Sequence, residues 1–314
     1  MSDLRVAVVG TGALGRHHTR ILASLPGVRL VGVHDRNPDV AAAVAAEHGA
    51  RAWTDLDALL AEVEAVVLAV PTVDHAAMGC ELLDRGLHVL VEKPIAASLA
   101  EADRLIAAAG DRVLAVGHVE FFNPAVQALL GLGLPPRFLE AERLGVFTAR
   151  SLDVDVVLDL MIHDLQILHA LDPSPVAEVR ATGIAVLSPK VDIASARIEL
   201  ASGAVANLTA SRVSADRSRK LRLFLPSAYY SCDYPQQEIK GYRLVAEPGG
   251  RRIVAADLQV ERAEPLRREL EAFVAACRGG ESRQVGGAEG RRALATALAV
   301  AAALGGRVLD SAGS

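Results

Sequence analysis

A chain of 314 residues with 51% apolar and 23% charged side chains carries more apolar surface than one core ordinarily serves, so two globular domains are expected and a disordered chain is excluded. The net charge of −5 excludes a broad basic surface for nucleic acid, and Cys80, Cys232 and Cys277 lack the spacing of a metal or redox site, as expected for free thiols in a reducing compartment. No apolar run is long enough to span a bilayer, and the first residues run directly into a strand without room for a signal peptide, so a cytoplasmic protein is expected.

The chain opens on an apolar run, Leu4 to Val9, followed by Gly10-Thr11-Gly12-Ala13-Leu14-Gly15, a helix-forming stretch to Leu25 and a second apolar run from Val28 to Val33. This order predicts a βαβ unit. Gly10 permits a sharp exit from the strand, Gly12 lets backbone approach a pyrophosphate, and Gly15 lets helix and strand pack closely. The N–H groups opening the helix, at Ala13 and Leu14, then face phosphate, where the helix dipole also favours negative charge. Asp35 follows Gly15 by 20 residues, at the end of the second strand, where a carboxylate accepts both ribose hydroxyls and repels a 2′-phosphate. Arg36 beside it leaves some tolerance for that phosphate. NAD is the expected cofactor.

Further along, Asn37-Pro38 predicts the cap and first turn of an alanine-rich helix that stops at Gly49. Ala50 to Trp53 reads as a short strand, and Thr54 as the cap of a helix from Asp55 to Glu62. Ala65 to Val70 suits a buried parallel strand. It ends at Val70-Pro71-Thr72, which with His75 is placed along the path from adenosine to nicotinamide; His75 reads equally well as a surface histidine at a helix start. A helix to Arg85, a strand from His88 to Val91, a helix capped by Ser98 and a strand from Val113 to Gly117 complete six strands. Such alternation predicts an α/β fold with a doubly wound parallel sheet, a Rossmann domain over residues 1–120.

Beyond His118 the pattern changes. A strand is expected from Arg137 to Phe147 and an amphipathic helix from Asp155 to Leu171. Successive strand candidates with scarcely a helix between them then run to Ala256, and helices over Pro265 to Cys277 and Glu289 to Leu304 close the chain. The expectation is an α+β domain, residues 121–314, with a large open, mainly antiparallel sheet. Ala204 to Ser211 alternates between an apolar and a mixed face. The exposed mixed face, with Val205, Asn207, Thr209, Ser211 and Val213, predicts a homodimer or a dimer of dimers.

Three constellations carry chemistry. Val91-Glu92-Lys93-Pro94 follows a strand end, and the proline biases Lys93 into an extended conformation that aims its ammonium at the crevice, where it can favour an alkoxide. Asp159 and His163 are spaced i, i+4 on a largely apolar helix, so a carboxylate can orient an imidazole; a structural Asp–His brace is the alternative. Gly117-His118-Val119-Glu120-Phe121-Phe122-Asn123-Pro124 is rich in hydrogen-bonding groups and follows another strand end, or is an interdomain hinge. His17 and His18 are expected to face solvent, and the positive residues from Arg217 to Arg222 to form a solvated face.

Taken together, Gly10 to Gly15, Glu92-Lys93-Pro94 and Asp159-x-x-x-His163 resemble the glucose–fructose oxidoreductase / inositol dehydrogenase / rhizopine catabolism (Gfo/Idh/MocA) family over nearly the whole chain. The stretches from Gly117 to Pro124 and from Val157 to Asp164 resemble its branch of UDP-N-acetylglucosamine 3-dehydrogenases, from which Phe121 departs by standing where that branch carries arginine. The resemblance implies NAD, a catalytic set of Lys93, Asp159 and His163, no metal, and burial of the open sheet face in a dimer or tetramer. Glu92 and Lys93 join the cofactor site, while His118, Glu120, Asn123 and His163 contact substrate. The expected reaction is NAD-dependent hydride transfer from a sugar ring hydroxyl, with a UDP-amino sugar favoured over another sugar or inositol. A non-catalytic sensor of dinucleotide and sugar is the rival from another class.

Overall fold

The computed structural model describes residues 2–148, 154–248, 250–281 and 283–305, which fall into two compact units. One comprises the described residues of Met1–Val119 and Glu264–Arg291; the other comprises those of Glu120–Ala263 and Arg292–Ser314. The return of Glu264–Arg291 to the first unit differs from a division of the chain at one position.

In the first unit, β1 (Leu4–Val9), β2 (Val28–His34), β3 (Ala65–Leu68), β4 (His88–Glu92) and β5 (Leu114–Gly117) form a wholly parallel sheet in the order β2-β1-β3-β4-β5. Ala65, Val66, Val67 and Leu68 are all buried, as expected of a strand covered on both faces. Between the strands run α1 (Ala13–Leu22), α2 (Pro38–His48), α3 (Leu56–Leu60), α4 (Thr72–Asp84) and α5 (Leu99–Ala109). The caps explain the boundaries. Asn37 accepts the Asp39 N–H with Pro38 at the first helical position, and Gly49 ends α2 in the left-handed conformation. Ser98 accepts the Glu101 N–H at 3.3 Å.

Two local expectations are corrected. Ala50 to Trp53 forms no strand: Ala52 makes an isolated bridge to Val33, and the pairing stops where the Trp53 indole turns back to donate to the Val31 carbonyl. The cap of α3 is Asp55, not Thr54; its carboxylate accepts the Ala58 N–H at 3.1 Å. Near the end of the chain, α8 (Pro265–Cys277) adds Leu270, Phe273 and Val274 to the core built on β1, α1 and α2.

In the second unit, β6 (Phe138–Leu144) and β7 (Val176–Ile184) join six further strands: β8 (Ile193–Leu200), β9 (Val205–Ser211), β10 (Ser218–Leu225), β11 (Ala228–Asp233), β12 (Glu238–Glu247) and β13 (Gly250–Ala255). Their order is β13-β12-β11-β10-β6-β9-β8-β7, antiparallel except for the parallel pair β6–β9. Along β8, Ala194, Ala196, Ile198 and Leu200 are buried while Ser195, Arg197 and Glu199 are exposed, so one face is covered and the other open. On β9 the same alternation leaves Asn207 and Thr209 half-buried; Ser211, expected with them, is buried, and its hydroxyl accepts the Val213 N–H.

The helix expected from Asp155 begins differently. Asp155 accepts the N–H groups of Val157 and Leu158, both at 2.9 Å, Val157–Met161 is a π-helical turn, and α7 (Ile162–Leu171) continues as an α-helix. A π turn is wider than an α turn, so the i, i+4 alignment of an α-helix is not the geometry at Asp159. The unit also contains α6 (Pro124–Leu130), and α9 (Gly287–Leu304) spans the division between the two units. No helix among the described residues is long and apolar enough to cross a membrane.

A methyl group at Gly15 would fall on the Gly10 carbonyl carbon and oxygen. Gly15→Ala should therefore destabilise the protein by more than about 2 kcal/mol, as the larger steric effects do, seen as a lowered denaturation midpoint. A midpoint equal to wild type would show that α1 can pull away from β1 freely.

Candidate active site

The glycine loop is shaped for a phosphate. Gly10 has φ +88°, and a Cβ there would meet the Ala69 carbonyl at the end of β3, so side chains are excluded on two grounds. A Cβ on Gly12 would meet nothing within 4 Å, and no side chain caps the first turn of α1. Open space above Gly12 and uncapped N–H groups at a helix start fit the pyrophosphate of NAD. Ala13 and Leu14 are exposed beside it.

Asp35 is tied into the fold by its own hydrogen bonds. Its Oδ2 accepts the Thr11 N–H at 2.7 Å and the Thr11 hydroxyl at 3.1 Å, and its Oδ1 accepts the Asn37 N–H at 2.9 Å. Burial opposes the charge, but these hydrogen bonds outweigh it and hold the carboxyl below its usual range. The carboxylate thus ties the loop after β1 to the end of β2. Arg36 is exposed and lies 3.7 Å from Asp74.

His75 is not a surface residue. It is buried, with Nδ1 2.9 Å from the Pro94 carbonyl and Nε2 3.0 Å from the Val70 carbonyl, so it joins the loop after β3 to the loop after β4. Burial pushes its pKa down against the pull of the two carbonyls. Val70 and Thr72 are half-buried and Pro71 is exposed.

At the end of β4, the Glu92 Oε1 lies 2.7 Å from His18 Nε2, and Oε2 accepts the Lys93 N–H at 3.2 Å. His18, expected in solvent, is 0% exposed; only its neighbour His17 faces outward. The helical spacing contains the signal, since His18 shares a face with Gly15, Ile21 and Leu22. Lys93 is half-buried and precedes Pro94 through a cis peptide bond. His118 is fully buried, and burial together with the positive Lys93 pushes its pKa down to about 3, so the ring is neutral at neutral pH.

In the second unit, Asp159 and His163 are both half-buried on the π turn and the first turn of α7. Asp164, the next residue, belongs to a buried ionic network that sequence reasoning missed. The Arg143 guanidinium donates to both Asp164 oxygens at 2.9 and 2.8 Å and to Glu120 Oε1 at 2.8 Å. The Tyr234 hydroxyl donates to Asp164 at 3.1 Å, and Arg219 donates to Glu120 at 3.3 Å. Burial opposes the charge on Glu120, yet Arg143 holds its carboxyl below the usual range. Arg143 was detectable in principle, because the period of two along β6 places it with the inward Leu139 and Ala141. Glu120 and Asn123, expected to contact substrate, both have internal partners: Asn123 accepts the Ala125 N–H at the start of α6 and donates to the Tyr234 carbonyl. Phe121 is buried edge-on against Phe122, ring centroids 5.2 Å apart. No group of His, Cys, Asp and Glu that could hold a metal occurs among the described residues.

A parallel sheet with a glycine loop at its switch point and a carboxylate closing the next strand is the apparatus of a dinucleotide-dependent enzyme. Residues 4–118 match the family described as "Oxidoreductase family, NAD-binding Rossmann fold", and residues 133–227 match the "GFO/IDH/MocA C-terminal domain". The chain is 42% identical over 311 residues to the UDP-N-acetylglucosamine 3-dehydrogenase of Acidithiobacillus ferrooxidans, with 97% of this chain and 98% of that protein covered. The solved structure of that enzyme superposes with a TM-score of 0.90 at 40% identity, covering 97% and 98% of the two chains. The scyllo-inositol 2-dehydrogenase (NAD(+)) of Bacillus subtilis is 29% identical over 247 residues, 68% of each chain. Levoglucosan dehydrogenase in complex with NADH, 17% identical and covering 98% of both chains, shares the fold with a TM-score of 0.83. The chain belongs to the Gfo/Idh/MocA family of NAD-binding oxidoreductases.

Because the Asp35 carboxylate is held ionised, NADH should bind this protein at least tenfold more tightly than NADPH, about 1.4 kcal/mol, in paired fluorescence titrations. Asp35→Ser should narrow the gap by removing the repulsion while leaving Arg36. Equal or tighter binding of NADPH to wild type would remove Asp35 as the discriminator.

Proposed function

We propose that this chain is an NAD-dependent dehydrogenase of a nucleotide sugar, oxidising the 3-hydroxyl of UDP-N-acetylglucosamine in the route to a 3-amino sugar. The observation that carries the substrate is the 42% identity, over 97% of this chain, to an enzyme of that activity. In this reading residues 1–120 form the NAD-binding domain and residues 121–314 the substrate and oligomerisation domain. NAD, when bound, accepts the hydride from the ring carbon. His163 takes the proton from the reacting hydroxyl, Asp159 holds the imidazole in the accepting tautomer, and the Lys93 ammonium stabilises the developing alkoxide. Asp35 and the Gly10 to Gly15 loop bind the dinucleotide away from that chemistry. A cytoplasmic location is supported by three free cysteines.

Lys93→Ala and His163→Ala should each lower turnover of UDP-N-acetylglucosamine by about 10² or more, the scale of a positioned acid–base group, while NADH affinity stays within a few-fold. His163→Ala should also flatten the rise in rate from acidic to neutral pH, whereas Lys93→Ala should keep that rise and lower the plateau. A pH dependence that follows Lys93 reverses the two roles. A wild type that binds NAD tightly but turns over no nucleotide sugar, hexose or inositol is a sensor, not a catalyst.

We also infer a homodimer or a dimer of dimers through the open face of the second sheet. On that face the Phe138 and Phe224 rings meet edge-on and the Phe224 and Tyr229 rings at a tilt across neighbouring strands, with ring centroids 5.6 and 5.0 Å apart, and Tyr242, Leu244 and Ile253 are exposed beyond them. Sedimentation at micromolar concentration should give at least twice the 32.9 kDa chain mass; a monomer would count against it.

A further inference from the structure

One acid in the first unit takes no part in the dinucleotide site or in the proposed proton transfer. Glu269 lies on α8 beside the core residues Leu270 and Phe273, is 2% exposed, and receives no hydrogen bond at either oxygen from any described residue. Burial, and then the negative charge of Glu92, push its carboxyl well above the usual carboxylate range, which favours the neutral acid. Glu92 is confined from three further directions. His18 on α1 holds Oε1 at 2.7 Å, the Lys93 N–H donates to Oε2 at 3.2 Å, and a methyl at Gly117 on β5 would stand 2.9 Å from Oε2. The titratable groups around this carboxylate are thus His18, Glu269, Lys93 and His75, with His118 beyond Lys93.

We propose that His18 and Glu269 are positioning residues that act through the Glu92 carboxylate to fix the loop carrying Lys93. The inference rests on the dehydrogenase reading, in which Lys93 meets the reacting hydroxyl. His18 supplies the partner that keeps Glu92 turned toward the Lys93 backbone. Glu269, in its neutral form, adds no second negative charge against that of Glu92. When Glu269 loses its proton, its charge opposes that of Glu92, and both groups are buried. Glu92 is the one with a backbone contact to lose, so the Lys93 loop loosens.

The test is turnover of UDP-N-acetylglucosamine by full-length wild type, Glu269→Gln, His18→Ala and His18→Asn from about pH 6 to about pH 10, with NADH affinity measured alongside. Wild type should lose kcat on the alkaline side, and Glu269→Gln should carry that loss to higher pH by about one unit or more, because its amide cannot ionise. His18→Ala should lower kcat by about tenfold or more with NADH affinity within about threefold, and His18→Asn, which restores a donor, should recover part of it. Coincident alkaline limbs in wild type and Glu269→Gln, or equal impairment by the two His18 variants, would overturn the proposal. If wild type shows no turnover at all, the dehydrogenase reading falls and the positioning role falls with it. The buried-acid assignment is then judged by thermal unfolding. A carboxyl whose folded pKa is raised contributes stability that is full at low pH and is lost as pH rises toward the folded value. The Tm advantage of Glu269→Gln over wild type should therefore grow with pH above the usual carboxylate range. A pH-independent difference would show that Glu269 is not held protonated.

Discussion

The contact on which the first unit depends is the approach of α1 to β1, so close that the Gly10 carbonyl occupies the place of a Gly15 side chain. It aims the start of α1 across the end of β1, at the point where the sheet order turns from β2 on one side to β3 on the other. Everything proposed for NAD follows from that direction: a first turn with no side-chain cap, open space above Gly12 and a dipole favouring phosphate. Asp35 then has two duties. By accepting from Thr11 and Asn37 it fixes the loop to β2, and the same hydrogen bonds favour its ionised form, which in the proposed NAD site would repel a 2′-phosphate.

Each unit buries charge, and the two do so differently. Around Arg143 two guanidinium groups meet two carboxylates, so the network can balance its charge internally. Such networks rarely add stability over an apolar core of the same volume, because desolvation offsets most of the attraction. What this one does is geometric: the bidentate pair pins Asp164 on the first turn of α7, adjacent in the chain to His163. Around Glu92 the second acid, Glu269, is pushed well above the usual carboxylate range by burial and then by the Glu92 charge, which favours its neutral form. Both arrangements lie next to a residue of the proposed chemistry.

Much of the architecture was legible because it rests on local patterns. The α/β alternation, the caps at Asn37 and Ser98, the bounds of α8 and the period of two along β8 follow from nearest-neighbour chemistry. What escaped depends on contacts far apart in the chain. His18 looked like a surface residue because its partner Glu92 is 74 positions away. Glu120 looked available to substrate because Arg143 and Arg219 approach it from strands 23 and 99 positions along. Ala50 to Trp53 has strand composition, yet its indole is committed to the Val31 carbonyl and the pairing ends at one bridge. The π turn at Asp159 has no signature in apolar spacing, because its residues satisfy an α-helical pattern equally well.

The histidines bear on where a titration near neutral pH can originate. Burial holds four of them below their ordinary range: His118 at about 3, His169 at about 4, and His75 and His88 by smaller amounts. The His118 and His169 rings are neutral throughout the range in which an imidazole base would switch on. His118 is the telling case, since burial, and after it the positive charge of Lys93, keeps it uncharged, and the proposed chemistry uses that same lysine as a cation. Neither His118 nor His169 can therefore be the source of a rise in rate between acidic and neutral pH. In the proposed reaction that rise is assigned to His163, half-buried on the first turn of α7 beside the residue that Arg143 pins.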